Sequence, residues 1–168
     1  QGREVFAMVG SKEFYLWLTR VQNKKVTLFT NGLLIDNDWA ELLVGGGGIV
    51  KISVNAATKK THELVNKGSN FEKVVNNIKK LVELRDRGDG DLQILYKYTI
   101  VPENIHEIPE SISLAEGLGC DKIVFGHDYS VINCVRGIDI TKFRRRLDSV
   151  FNGGIAVEME ALKRLGLY

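Results

Sequence analysis

The sequence predicts an α/β fold with a parallel sheet, and three observations predict it. Short runs rich in Val, Ile, Tyr and Phe alternate with longer stretches that carry an apolar stripe at three-four spacing. The stretches between successive runs are long enough for crossover helices, which parallel strands require. Of the 168 residues, 44% are hydrophobic, and a chain of this length hides about 70% of its unfolded surface in one core.

In chain order, Val5 to Met8 reads as a short first strand and Lys12 to Gln22 as a helix. Val26 to Thr30 is the next strand and Asp38 to Val44 the next helix. Gly45 to Gly48 then forms a flexible connection into the strand Ile49 to Val54. Phe71, Val74, Val75, Ile78, Leu81 and Val82 lie on one helical face, and Ser69 with Glu72 has the spacing of a capping box at its start. Leu92 to Val101 is a strand, and Glu107 to Leu118 a helix with Pro109 in its first turn and Gly119 past its end. Asp121 to Gly126 is the last strand; Thr141 to Val150 and Ile155 to Leu165 are the last helices. Residues 1–168 form one domain. Two architectures fit, a doubly wound open sheet or a whole or partial parallel barrel, and both place chemistry at the carboxyl ends of the strands.

Composition excludes several classes. Lys and Arg total 23 against 21 for Asp and Glu, a net +2 that gives no reason to expect a nucleic-acid or membrane partner. Two cysteines without Cys-x-x-Cys spacing argue against zinc and fit a reducing cytoplasm. No run approaches the twenty or so apolar residues of a membrane span. The opening Gln-Gly-Arg-Glu has no initiator Met and no leader, and reads as the cut or processed end of something longer.

Familiar motifs are absent. There is no G-x-x-x-x-G-K-[ST], no G-x-G-x-x-G and no G-x-S-x-G; the glycine run precedes a strand, where a phosphate loop would follow one. Arg144 to Arg146 fan around a helix as a solvated face. His62 and His106, among charged neighbours, read as solvated and carry no role, whereas His127 follows a strand and projects near the mouth of the barrel, where a surface-turn histidine is the ordinary reading beside an acid-base or ligand role. The strand ends hold Thr30-Asn31-Gly32, Ser53-Val54-Asn55, the region Lys97 to Thr99, and Gly126-His127-Asp128. Small polar groups gathered there suggest a site, though Asn31, Asn55 and Asp128 also suit turns and caps.

The stretches Val26-Thr-Leu-Phe-Thr-Asn-Gly-Leu-Leu-Ile-Asp36, Lys51-Ile-Ser-Val-Asn-Ala-Ala-Thr58 and Asn70-Phe-Glu-Lys-Val-Val-Asn-Asn-Ile-Lys-Lys-Leu81, with Ile100-Val-Pro-Glu-Asn-Ile-His-Glu-Ile-Pro109 and Leu118-Gly-Cys-Asp-Lys-Ile-Val-Phe125, resemble radical S-adenosylmethionine enzymes in order and spacing. The resemblance runs from Gly2 to about Gly126. It implies a partial parallel (β/α) barrel of the radical SAM type that binds S-adenosylmethionine. In the family a four-iron four-sulfur cluster on a C-x-x-x-C-x-x-C loop reduces that cofactor to a 5′-deoxyadenosyl radical. That loop is absent here, so the expectation is a fragment lacking the first strand-helix unit, inactive alone, its cluster and electron donor belonging to the full-length protein.

The family's G-G-E-P motif corresponds to Gly2-Arg3-Glu4-Val5, with Arg3 and Val5 departing from the pattern. The resemblance implies that Glu4 holds the cofactor's amino group and that Gly2 belongs to the same cofactor-binding motif. Thr30, Asn31, Ser53 and Asn55 would meet its carboxylate and ribose, Lys97 would face the barrel interior, and Gly126 would lie along the adenine. Lys97 also reads as an edge-strand lysine pointing to solvent. The substrate is a peptide, sugar or small metabolite that the sequence does not choose between. A degenerate, non-catalytic barrel acting as a binding or scaffold module is the alternative, and an aldolase-like barrel would have only Lys97 as nucleophile.

Overall fold

A computed structural model describes residues 4–88, 90–151 and 153–168, apart from the side chain of Asn133. Its strands are β1 (Thr27–Thr30), β2 (Gly48–Ser53), β3 (Leu92–Ile100), β4 (Lys122–His127) and β5 (Ala156–Glu158). All pair in parallel, in the order β1-β2-β3-β4-β5. A doubly wound sheet reverses its order at a switch point, and this one never does. With right-handed crossovers an unreversed order places the helices on one face, which is the winding of a partial parallel barrel.

Burial separates the two faces. Val50, Ile52, Ile94, Tyr96, Tyr98, Ile123 and Phe125 point to one side and are buried. They form the core with Trp39, Leu43, Val74, Ile78, Leu81, Ile108, Ile112 and Leu147 from the helices. On the other side, Phe29, Lys51, Ser53, Lys97, Thr99, Val124 and Gly126 are exposed or half-buried. This second side is the open face.

The helices are α1 (Ser11–Leu16), α2 (Asn37–Gly46), α3 (Lys59–Val65), α4 (Phe71–Arg87), α5 (Ile108–Gly117), α6 (Val131–Cys134), α7 (Ile140–Val150) and α8 (Glu160–Arg164). In α4, Val74, Ile78 and Leu81 are fully buried, as the stripe requires. Its cap is Asn70, whose side chain accepts from the Lys73 N–H at 2.9 Å. Ser69 instead bonds His62 at 2.8 Å and Glu72 pairs with Lys59, so the expected capping box does not form. The glycine run is half helix and half strand entry. α2 runs to Gly46, and Gly47 and Gly48 turn the chain at φ 63° and 94°. A Cβ on Gly48 would lie 2.4 Å from the Val26 carbonyl oxygen.

Several boundaries differ from expectation. Val5 to Met8 is not a strand: Val5–Ala7 forms a 3-10 turn, and Phe6 packs edge-on against Trp39 at 4.6 Å. An apolar tetrapeptide suits a turn as well as a strand, and among the described residues this one pairs with no strand. The helix from Lys12 to Gln22 is α1 followed by a π-type turn, Trp17–Val21. Ile155 to Leu165 is not one helix, because Ala156–Glu158 pair with β4 before α8 begins. α3 was not expected at all.

Candidate functional site

Glu4 comes just before the first 3-10 turn, and its carboxylate is held at the carboxyl end of β1. The Thr30 hydroxyl donates to Oε2 at 2.8 Å and the Asn31 N–H to Oε1 at 3.0 Å. Each oxygen keeps an acceptor site for a further donor. The cradle is itself fixed. Thr30 Oγ1 accepts from the Gly32 N–H at 3.0 Å, Asn31 Oδ1 accepts from the Leu33 N–H at 2.9 Å, and Asn77 on α4 donates to the Gly32 carbonyl at 2.8 Å. Asn31 thus presents its backbone N–H to Glu4, while its side-chain oxygen makes the turn.

Gly32 allows this turn. Its φ is +79°, and a Cβ there would lie 2.8 Å from Ile52 Cγ2 and 3.2 Å from Val74 Cγ1. Gly32→Ala is expected to lower the unfolding free energy by about 1–3 kcal/mol through left-handed strain and overpacking. Urea unfolding checks this, and an unchanged midpoint would contradict it.

Behind the cradle, the end of β2 is tied down. Asn55 takes φ 58°, Oδ1 accepts from the Thr99 N–H at 2.7 Å, and Nδ2 donates to Asn66 at 2.9 Å. Its amide therefore joins the ends of β2 and β3. Asn104, fully buried, donates to the Asn55 and Thr99 carbonyls, both at 2.9 Å, and accepts from the Val101 N–H at 2.8 Å.

Glu107, only 6% exposed, receives four hydrogen bonds from the start of α3. They come from the Ala57 and Thr58 N–H groups at 2.7 and 3.1 Å and the Thr58 and Thr61 hydroxyls at 2.6 and 2.7 Å. Burial alone would push this carboxyl up; the hydrogen bonds outweigh it and hold the pKa below the ordinary carboxylate value. His62 is fully buried, contrary to the solvated reading. Its Nδ1 lies 2.7 Å from the Val54 carbonyl oxygen, and burial lowers its pKa. The Thr58-x-x-Thr61 spacing was the available sign of this buttress.

The remaining candidates lie on the open face. Ser53 pairs in register with Lys97, and Thr99 with Gly126. A Cβ on Gly126 would meet nothing within 4 Å, so space lies over the end of β4. Lys97 does not reach toward bulk solvent across a sheet edge: β3 is central, and the ammonium lies 5.8 Å from the centre of the Phe29 ring, two strands away. Lys51 lies 5.2 Å from the same ring. His127 ends β4, half-buried, with Nδ1 buried and unpartnered. Gly2 lies outside the described residues.

Among the described residues no three His, Cys, Asp or Glu side chains gather as a metal site. Cys134 is exposed; Cys120 is buried, and burial pushes its thiol up to about 12, far from the thiolate a cluster needs. The chain's two cysteines do not fit a four-iron cluster. Anaerobic reconstitution with iron and sulfide, followed by desalting, is expected to leave no charge-transfer absorbance. A stoichiometric cluster would overturn this reading of the cysteines. No helix of the described residues is long and apolar enough to cross a membrane.

The family model described as the Radical SAM superfamily matches residues 3–115. No curated protein matches the sequence. Among solved structures, Streptococcus suis SuiB bound to precursor peptide SuiA superposes with a TM-score of 0.67 at 15% identity, covering 98% of this chain and 39% of SuiB. SuiB bound to S-adenosylmethionine gives 0.65 at 14% identity, covering 93% and 36%. Hydroxymethylglutaryl-CoA lyase from Pseudomonas aeruginosa gives 0.51 at 12% identity, covering 95% of this chain and 55% of that one. The chain thus spans about two fifths of SuiB.

Proposed function

The chain belongs to the radical S-adenosylmethionine superfamily, and from that premise we propose that it is the cofactor-cradling part of a radical enzyme's barrel. The observation that carries this is Glu4, a carboxylate fixed by Thr30 and Asn31 at the strand ends with acceptor capacity to spare. The cofactor has an ammonium, a carboxylate, a ribose diol and an adenine, so one fixed anion with neutral donors around it suits it.

Glu4 takes the ammonium. Thr30 and Asn31 orient Glu4, Ser53 offers its hydroxyl to the carboxylate or ribose, and the space over Gly126 admits the adenine. Asn55 acts through position, holding β2 and β3 at the same height. When bound, S-adenosylmethionine supplies a sulfonium whose one-electron cleavage delivers a 5′-deoxyadenosyl radical. The described residues do not fit the cluster that would provide the electron, and the chain alone is expected to be inactive.

The substrate we favour is a peptide. SuiB, whose structure is known with a precursor peptide, shares the winding, and the open face is broad, with Phe29 57% exposed. A non-catalytic binding module is the second reading, favoured by Arg3 and Val5 where the family has Gly and Pro. Titration calorimetry tests the first. S-adenosylmethionine is expected to bind, and 5′-methylthioadenosine, which lacks the amino-acid end, to bind more weakly. No heat with S-adenosylmethionine, or equal affinity for both compounds, would remove Glu4 and this reading together.

A further inference from the structure

The open face carries more positive charge than it can neutralise. Its charged side chains along the paired strands are Lys51, Lys97, Lys122 and Glu158. Lys122 and Glu158 pair with each other at 3.4 Å. Among the described residues neither Lys51 nor Lys97 has a carboxylate within ion-pair distance, and the Glu4 oxygens face Thr30 and Asn31 instead. Both free ammoniums lie within 6 Å of the centre of one ring, Phe29. Cation-π attraction holds each there, while their like charges repel. An anion bound beside the ring gains a charge-assisted hydrogen bond from either ammonium and offsets the uncompensated positive charge.

We propose that Lys51, Lys97 and Phe29 form the specificity element of the open face, and that it binds an acidic side chain of a peptide substrate. The proposal rests on the peptide reading above and adds the charge of the residue recognised. Register supports the arrangement. Phe29 and Lys51 are paired neighbours, and Lys97 is one step nearer the strand ends beside Ser53. Lys97 lies near Phe29, the residue before Thr30 of the Glu4 cradle, and as a cation it is no partner for the cofactor's ammonium, which is left to Glu4.

Neither lysine lines the cavities beside Asn77 and beside His127. A small carboxylate on an open face is largely screened. A peptide adds backbone and apolar contact over Phe29 and has enough area to be retained, so the occupant is a peptide segment carrying Asp or Glu.

The test is fluorescence anisotropy of fluorescein-labelled hexaglutamate, with labelled hexaglutamine as the uncharged counterpart, on the whole chain. Hexaglutamate is expected to bind saturably and hexaglutamine not to bind. Lys51→Gln and Lys97→Gln should each weaken hexaglutamate by about fivefold, and Lys51→Arg should restore it. Lys67→Gln, which removes an exposed lysine in the turn just past α3, should change nothing. Thermal melts confirm folding, and the arginine variants test the charge if a glutamine variant fails to fold. Equal hexaglutamate affinity in wild type and the double glutamine variant, or hexaglutamine binding as tightly as hexaglutamate, overturns the proposal. Equilibrium dialysis of S-adenosylmethionine on the same preparations separates the two ideas: its failure counts against the cofactor reading and leaves the charge comparison standing.

Discussion

Glu107→Ala is expected to cost about 2–4 kcal/mol of unfolding free energy, because it strands four donors, most of them part-buried, that meet one nearly buried charge. The Ala57 and Thr58 N–H groups and the Thr58 and Thr61 hydroxyls all point at that carboxylate. Water replaces some of these contacts, which keeps the loss below a sum of four. Glu107→Gln retains one acceptor oxygen and should fall between wild type and alanine.

The pH dependence has a definite sign. The folded pKa of Glu107 lies below the unfolded one. Its contribution is therefore complete above the unfolded value and is lost as pH falls through the folded one. Wild type should lose melting temperature on acidification below the ordinary carboxylate range, and Glu107→Gln should lose less over the same interval. Urea titrations across pH measure both effects. A Glu107→Ala midpoint within about 1 kcal/mol of wild type would sink the assignment.

Glu4→Gln should weaken S-adenosylmethionine by about tenfold or more, the charge-assisted part of an ammonium contact. The amide is nearly isosteric, so the cradle keeps its shape, but only one oxygen remains for the Thr30 and Asn31 donors. Affinity for 5′-methylthioadenosine, which has no ammonium, should change little. Calorimetry on both ligands distinguishes a lost charge from a collapsed site: if both weaken equally, the substitution has disturbed the fold and Glu4 has no specific role.

Much of this was legible where pattern and length agreed. The stripe from Phe71 to Val82 is long enough to leave no rival to α4, and the apolar runs of β2 to β4 are bounded by polar ends. β5 was hidden because three residues of strand sit inside an apolar stripe that also suits a helix, and only pairing with β4 decides between them. Thr30 and Asn31 could be read as a site because they end a strand. Their contact with Glu4 spans more than twenty residues of chain, and only the resemblance brought them together. His62 and Glu107 were missed for a common reason: charge-bearing residues among charged neighbours look solvated until tertiary partners are known. Lys51 drew no notice in the sequence because it occupies an ordinary alternating position in a strand, and which face of the sheet the helices leave open is decided by tertiary packing.

The sheet's proportions set how stability is distributed through it. β3 has nine residues between two partners, whereas β1 has four and pairs within the described sheet only with β2. Local opening is easiest where few hydrogen bonds and little packing must be lost, so amide protection should fall from β3 toward β1. The Glu4 cradle stands on that low-protection margin. A cofactor held there binds only the closed margin and not the frayed one, so part of its binding energy goes into suppressing fraying, by about 2.7 kcal/mol at a hundred times the dissociation constant. Were S-adenosylmethionine held there, occupancy and the order of β1 would be thermodynamically linked, and the cofactor would act as a structural member of that strand.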